Sequence, residues 1–106
     1  MMKKFENVNV VVGANIYFDG KVTSRTVEFS DGTTKTLGIM LPGEYTFNTG
    51  KPELMEITSG QVSYCLKGES SWNEVSSGGE FNVPGDSSFQ IKVTEISDYV
   101  CSFLDS

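Results

Sequence analysis

Three groups of side chains in this 106-residue chain are equipped for chemistry. Glu44, Glu53 and Glu56 are carboxylates close together in sequence, able to accept hydrogen bonds from hydroxyls or to face a developing positive charge. Lys21, Arg25 and Lys35 are cations. Arg25 is the one arginine, and it can grip an oxyanion through two parallel N–H bonds. Tyr17, Tyr45, Phe47 and Phe89 offer π-faces, and the two tyrosines add hydroxyls that want a polar partner. Histidine is absent. Without it no His-ligated zinc, iron or copper site, no Ser-His-Asp triad and no Cys-His dyad can be built in one chain. Proton transfer would fall to water, tyrosine, lysine or a carboxylic acid of raised pKa.

Each of these residues also has a plain structural reading. Glu56 alternates with Met55 and Ile57, which places it on an outward face. A lysine beside a glycine turn, such as Lys21, is ordinarily a solvated charge, and phenylalanines such as Phe47 and Phe89 ordinarily pack a core. The charge balance, −6, lacks the broad cationic surface that a phosphate backbone attracts, so nucleic-acid polymers are not expected partners. The start, Met-Met-Lys-Lys-Phe-Glu, is basic but no apolar core follows it, and no stretch is apolar enough to cross a membrane as a helix. A cytoplasmic protein is expected, with Cys65 and Cys101 reduced and buried in strand-like runs.

The elements that must position these groups read as strands throughout. Runs at 8–12, 21–29, 34–40, 44–48, 54–58, 61–66, 72–75, 80–83, 87–93 and 98–103 are separated by turns such as Asp19-Gly20, Ser59-Gly60 and Pro84-Gly85. In Ser88–Val93 the apolar Phe89, Ile91 and Val93 alternate with Ser88, Gln90 and Lys92, the period of a half-buried strand. A single alanine, Ala14, and no helical periodicity argue against helices. Short strands at this spacing predict an all-β sandwich or barrel in one domain over residues 13–106, preceded by an arm at 1–12.

Two spacings narrow the barrel. Glu53 is followed after six residues by Gly60, and Gly78 is followed after five by Pro84-Gly85. This pattern resembles the two motifs of the cupin jelly roll with their histidine ligands missing: the paired positions fall within Thr46–Thr49 and the later one on Phe89. Gly60 is read as a tight turn between two strands, and the barrel as metal-free and without a cofactor. The ordered pieces Tyr17-Phe18-Asp19-Gly20-Lys21-Val22, Gly43-Glu44-Tyr45-Thr46-Phe47, Pro52-Glu53-Leu54-Met55, Ser59-Gly60, Trp72, Phe81-Asn82-Val83-Pro84 and Tyr99-Val100-Cys101 then resemble the small pyrimidine/purine nucleoside phosphorylase family. That resemblance implies a homodimer that phosphorolyses nucleosides broadly, giving a free base and a pentose 1-phosphate. Inorganic phosphate would be the co-substrate. Laid onto this sequence, such chemistry assigns Glu53 and Glu44 to the sugar as catalytic carboxylates. It assigns Arg25, Lys21 and Lys35 to phosphate, and Tyr17, Tyr45, Phe47 and Phe89 to the base. A non-catalytic cupin that binds a small molecule or sugar is the rival reading.

Overall fold

In the computed structural model, which describes residues 4–105, the chain forms nine strands and one 3-10 turn. The strands are β1 (Asn9–Val10), β2 (Asn15–Tyr17), β3 (Val22–Glu28), β4 (Thr34–Met40), β5 (Gly43–Asn48), β6 (Glu53–Leu66), β7 (Asn73–Ser76), β8 (Gly79–Val83) and β9 (Ser88–Phe103). The 3-10 turn, Phe18–Gly20, links β2 to β3. All pairings are antiparallel. No helix among the described residues is long and apolar enough to cross a membrane.

Two long strands organise the fold. Leu54–Thr58 and Gln61–Leu66, expected as separate strands, are halves of β6, and β9 likewise joins the runs expected at 87–93 and 98–103. The first half of β6 pairs β8 and the second half of β9; its second half pairs β7 and the first half of β9. β5 adds to the first half of β9, while β4, β3, β2 and β1 extend from the second. One sheet therefore folds over on itself at the middle of β6 and β9, and its inner faces meet in a shared core. Met40, Tyr45, Met55, Ile57, Val62, Phe81, Phe89 and Ile91 lie in that core.

The fold line sits at Gly60, where sequence spacing implied a tight turn between strands. It is instead an irregularity within β6. Between Ile57↔Tyr99 and Val62↔Val93, β6 advances five residues and β9 six. The buried set of β6 accordingly changes from Met55 and Ile57 to Val62 and Cys65, while β9 keeps Phe89, Ile91, Val93, Ser97, Tyr99 and Cys101 buried. Bulges bend strands and re-aim side chains in this way. Gly60 has φ +102°, and a Cβ there would collide with the side chain and Cα of Ser97. Ser97 is fully buried, accepts from the Gln61 N–H at 3.2 Å and donates to the Glu95 carbonyl at 2.8 Å, satisfying backbone groups that the broken ladder frees.

The arm expected at 1–12 contributes β1, whose Asn9 and Val10 pair Glu28 and Val27; its first three residues lie outside the described ones. The strand at Asn15–Tyr17 was not legible as such, because three residues are too few for an alternation to show.

Candidate active site

Register places a polar wall on the inner face of the β2–β3–β4–β9–β6 half. Ser24 pairs Asn15 and Gly38, Gly38 pairs Tyr99, and Tyr99 pairs Ile57; one row along, Thr26, Thr36, Cys101 and Met55 align, and then Phe103 and Glu53. Side chains of one strand face alternate, so Ser24 and Thr26 share a face with Val22, and Thr36 shares one with Met40. The Asn15 amide donates to the hydroxyls of both Ser24 and Thr26, each at 3.2 Å. Gly38 leaves room for the Tyr99 ring, since a Cβ would approach its Cε1 to 2.7 Å. A glycine in mid-strand marks a close approach, and here it seats a phenol in the wall.

Glu53 is the one carboxylate of this group. It is half-buried, and the Cys101 thiol donates to its Oε1 at 3.5 Å. Burial raises its pKa above the ordinary 4.5, and the thiol's hydrogen bond only partly offsets that. Burial and the neighbouring Glu53 charge push the Cys101 thiol well up, so it remains an S–H donor and not a nucleophile. Tyr99 is pushed up to about 12, first by burial, with Ser24 opposing through a hydrogen bond and Cys101, Tyr17 and Glu53 adding charge repulsion. Across the neutral range the wall is thus a set of neutral donors around one carboxyl group. Asn15, Thr26, Glu53 and Phe103 are all only half-buried, so each keeps part of its surface in contact with solvent.

A chain of rings runs through the shared core. Phe47 stacks on Phe89 (5.6 Å between centroids, 25°), Phe89 meets Phe81 edge-on at 5.8 Å, and Phe81 stacks on Tyr64 at 3.9 Å. At the other end Tyr17 and Phe18 meet Phe47 edge-on at 5.9 and 5.3 Å. Tyr17 therefore joins the aromatic row to the polar wall.

The expected site residues divide between the two faces of the sheet. Tyr17 meets Phe47, and Tyr17 and Glu53 are each near enough to Tyr99 to act on its phenol. Phe89 is buried beneath Phe47 as packing, and Tyr45 is buried with its hydroxyl donated to the Leu41 carbonyl at 2.7 Å, so its polar tip is already partnered. Glu44 does not join Glu53: it is on the outward face of β5, 3.8 Å from Lys92, which itself lies 4.1 Å over Trp72. Arg25 and Lys35 occupy positions that alternate with Ser24 and Thr36, and so they project from the outer face. The Arg25 guanidinium donates to the Val12 carbonyl at 2.6 Å, and Lys35 donates to Ser102 at 2.8 Å with the Phe5 and Phe29 rings at 5.8 and 5.9 Å. Lys21 is exposed just after the 3-10 turn, its backbone N–H bonded to the Phe18 carbonyl. The three cations are not gathered on one anion site. Ser24, Thr36, Tyr99, Cys101 and Asn15, absent from the expected candidates, are ordinary strand residues until the register aligns them.

Two shallow hollows, of about 280 and 170 Å³, open on the outward side of β5 and β9 around Thr46 and Gln90. They lie across the sheet from the Glu53 group, and they are less enclosed than a site that must exclude water requires. A metal of the kind cupin barrels carry does not fit the inner wall. Among the described residues no three His, Cys, Asp or Glu side chains converge, and Glu53 has only a protonated thiol beside it.

The folded-over antiparallel sheet is a cupin-type barrel. A cupin superfamily protein from Desulfitobacterium hafniense DCB-2 superposes with a TM-score of 0.64 at 10% identity, covering 100% of this chain and 84% of that one, a likeness of fold alone. A crystal structure from Acinetobacter sp. ADP1, described as a protein of unknown function (DUF1255), reaches a TM-score of 0.93 at 42% identity over 95% of this chain and 98% of its own.

Residues 12–103 match the pyrimidine/purine nucleoside phosphorylase family, and the chain belongs to it. Relatives bearing that name include one from Sulfurovum sp. (strain NBC37-1), 59% identical, and one from Geobacter sp. (strain M21), 60% identical. Each alignment spans 97% of this chain and 100% of the relative.

Proposed function

We propose that the inner wall around Glu53 is where this nucleoside phosphorylase joins phosphate to the sugar of a purine or pyrimidine nucleoside. In that reaction the C1′–N bond breaks with its electron pair leaving on the base, and a phosphate oxygen bonds C1′. The sugar passes through an oxocarbenium-like state whose positive charge a carboxylate stabilises. Glu53 is the group that can do so, and its oxygens can also accept ribose hydroxyls. Phosphate is held by the neutral donors Ser24, Thr26, Thr36, Asn15 and Tyr99, which orient it without a counter-cation. The base lies toward Tyr17 and Phe47, where stacking serves any base because every base has a π-face. The observation that carries this reading is the half-buried Glu53 carboxyl on the same sheet half as the Ser24 and Thr26 hydroxyls, with Tyr99 within reach of Ser24, Glu53 and Tyr17, and Tyr17 against the Phe47 ring.

No step here uses a metal or cofactor, which accords with the donor set. A homodimer is part of the proposal: Ile16, Leu37 and Ile39 stay exposed on the outer face of β2 and β4, next to Val12, which is 87% exposed. A second copy would cover such a patch and the sheet edge beside it. The cytoplasm, where the free Cys65 and Cys101 stay reduced, is the proposed compartment. The test is base release from inosine and from uridine with and without phosphate. Release that requires phosphate and yields pentose 1-phosphate supports the reading; equal release without phosphate, or nucleoside binding with no turnover, overturns it in favour of a hydrolase or a binding barrel.

A further inference from the structure

Phe18, Asp19 and Gly20 follow one another with φ of +52°, +57° and +90°. Glycine takes such angles freely and aspartate tolerates them, but for phenylalanine the left-handed region is an uncommon and costly conformation. Strain of this kind persists where surrounding contacts impose it, and it gathers at ligand clamps. The contacts here are the Tyr45 ring at 4.9 Å and the Phe47 ring at 5.3 Å. They tie the turn after β2, at the edge of one half of the folded sheet, to β5, at the edge of the other. Even so, 42% of Phe18 and 44% of the adjacent Tyr17 remain exposed. A ring held only to close that seam would be covered by it. Both rings instead keep surface in solvent, and Tyr17 is close enough to act on the Tyr99 phenol of the polar wall.

We propose that Phe18 is a substrate-binding residue whose exposed ring takes the nucleobase at the barrel mouth, with the sugar directed inward to Glu53. This rests on the nucleoside reading above and adds a residue to it. A π-face recognises shape and polarisability, not hydrogen-bond pattern, so a site built on Phe18 accepts both base classes and holds the larger purine more tightly. The strained backbone keeps the ring turned to the opening instead of into the core.

Phe18→Gly and Phe18→Leu test this. Glycine suits the φ at position 18, and leucine keeps apolar bulk at the seam without a π-face. Calorimetric affinities for inosine and uridine, measured without phosphate, should weaken about tenfold in both variants, and more for inosine. The KM for phosphate should hold, and in the glycine variant relief of the strained φ should offset part of the lost ring contacts, limiting the fall in melting temperature. Nucleoside affinity within about twofold of wild type in both variants overturns the proposal, and a fall in melting temperature alone would assign Phe18 to the seam. If the wild type binds nucleosides but its turnover ignores phosphate, the phosphorolysis reading fails while the affinities still decide Phe18. If it binds no nucleoside, both fail.

Discussion

Replacing Glu53 by glutamine separates what this carboxyl does for the fold from what it does for the reaction. The amide is nearly isosteric, and its carbonyl can still accept from the Cys101 thiol, so the packing is kept. What is lost is the charge. Because burial raises the pKa of Glu53 above 4.5, the folded protein holds this proton to a higher pH than the unfolded chain does. The neutral carboxyl therefore contributes stability that is fully present below 4.5 and is lost as pH rises through the raised folded value. In that window the wild type should lose stability relative to Glu53→Gln by at most about 1.4 kcal/mol per pH unit, the limit for one proton. Half-exposure to solvent keeps the slope below that limit. At neutral pH the variant should thus be as stable as the wild type or slightly more so. Its kcat should nevertheless fall about 10²–10³-fold, the usual cost of removing one stabiliser of transition-state charge. Urea titrations across the acid-to-neutral range give the first quantity and phosphate-dependent base release the second. A kcat within about threefold of wild type, or a wild type that gains stability on Glu53→Gln as pH rises through the window, refutes the assignment.

Ser24→Ala and Tyr99→Phe each remove a neutral donor from the inner wall and should raise the KM for phosphate about tenfold, the worth of one buried hydrogen bond; a larger rise from Arg25→Ala or Lys35→Ala would place phosphate on the outer face. With Tyr99 protonated up to about 12, the kcat profile should show an acid limb from Glu53 and no alkaline limb from this phenol in the neutral range; a loss of activity there that Tyr99→Phe abolishes contradicts it. Gly60→Ala forces a side chain into a left-handed position against Ser97 and should cost about 2–4 kcal/mol, read as a lower urea midpoint; an unchanged midpoint would deny the bulge its role. Ile39→Lys charges the exposed outer face of β4 and should yield a monomer in sedimentation velocity, whereas an unshifted species would move the dimer contact elsewhere.

How much was legible follows from which signals are local. Alternation in Ser88–Val93 is a property of neighbouring residues, so that strand and the turn before it can be read in one dimension. The family pieces, from Tyr17–Val22 to Tyr99–Cys101, are likewise written in order along the chain. Glu53 emerged because its spacing to Gly60 is itself a linear feature. The sidedness of Arg25 and Lys35 did not, because β3 has buried residues on both faces, Ser24 and Val27, while in β4 the apolar Leu37 and Ile39 lie on the exposed face, so apolar alternation does not mark the inner side.

Composition and spacing alone determined that this chain is histidine-free and all-β, and its ordered motifs carried the resemblance to the nucleoside phosphorylase family, since those are sums and intervals along the sequence. Which side chains meet was decided only in three dimensions. Cys101 reaches Glu53 across 48 residues, and Asn15 reaches Ser24 and Thr26, through strand register. That register shifts at three successive steps between Ile57 and Val62, around the Gly60–Ser97 fold line, and its net slip of one residue exchanges inward for outward along the rest of a strand.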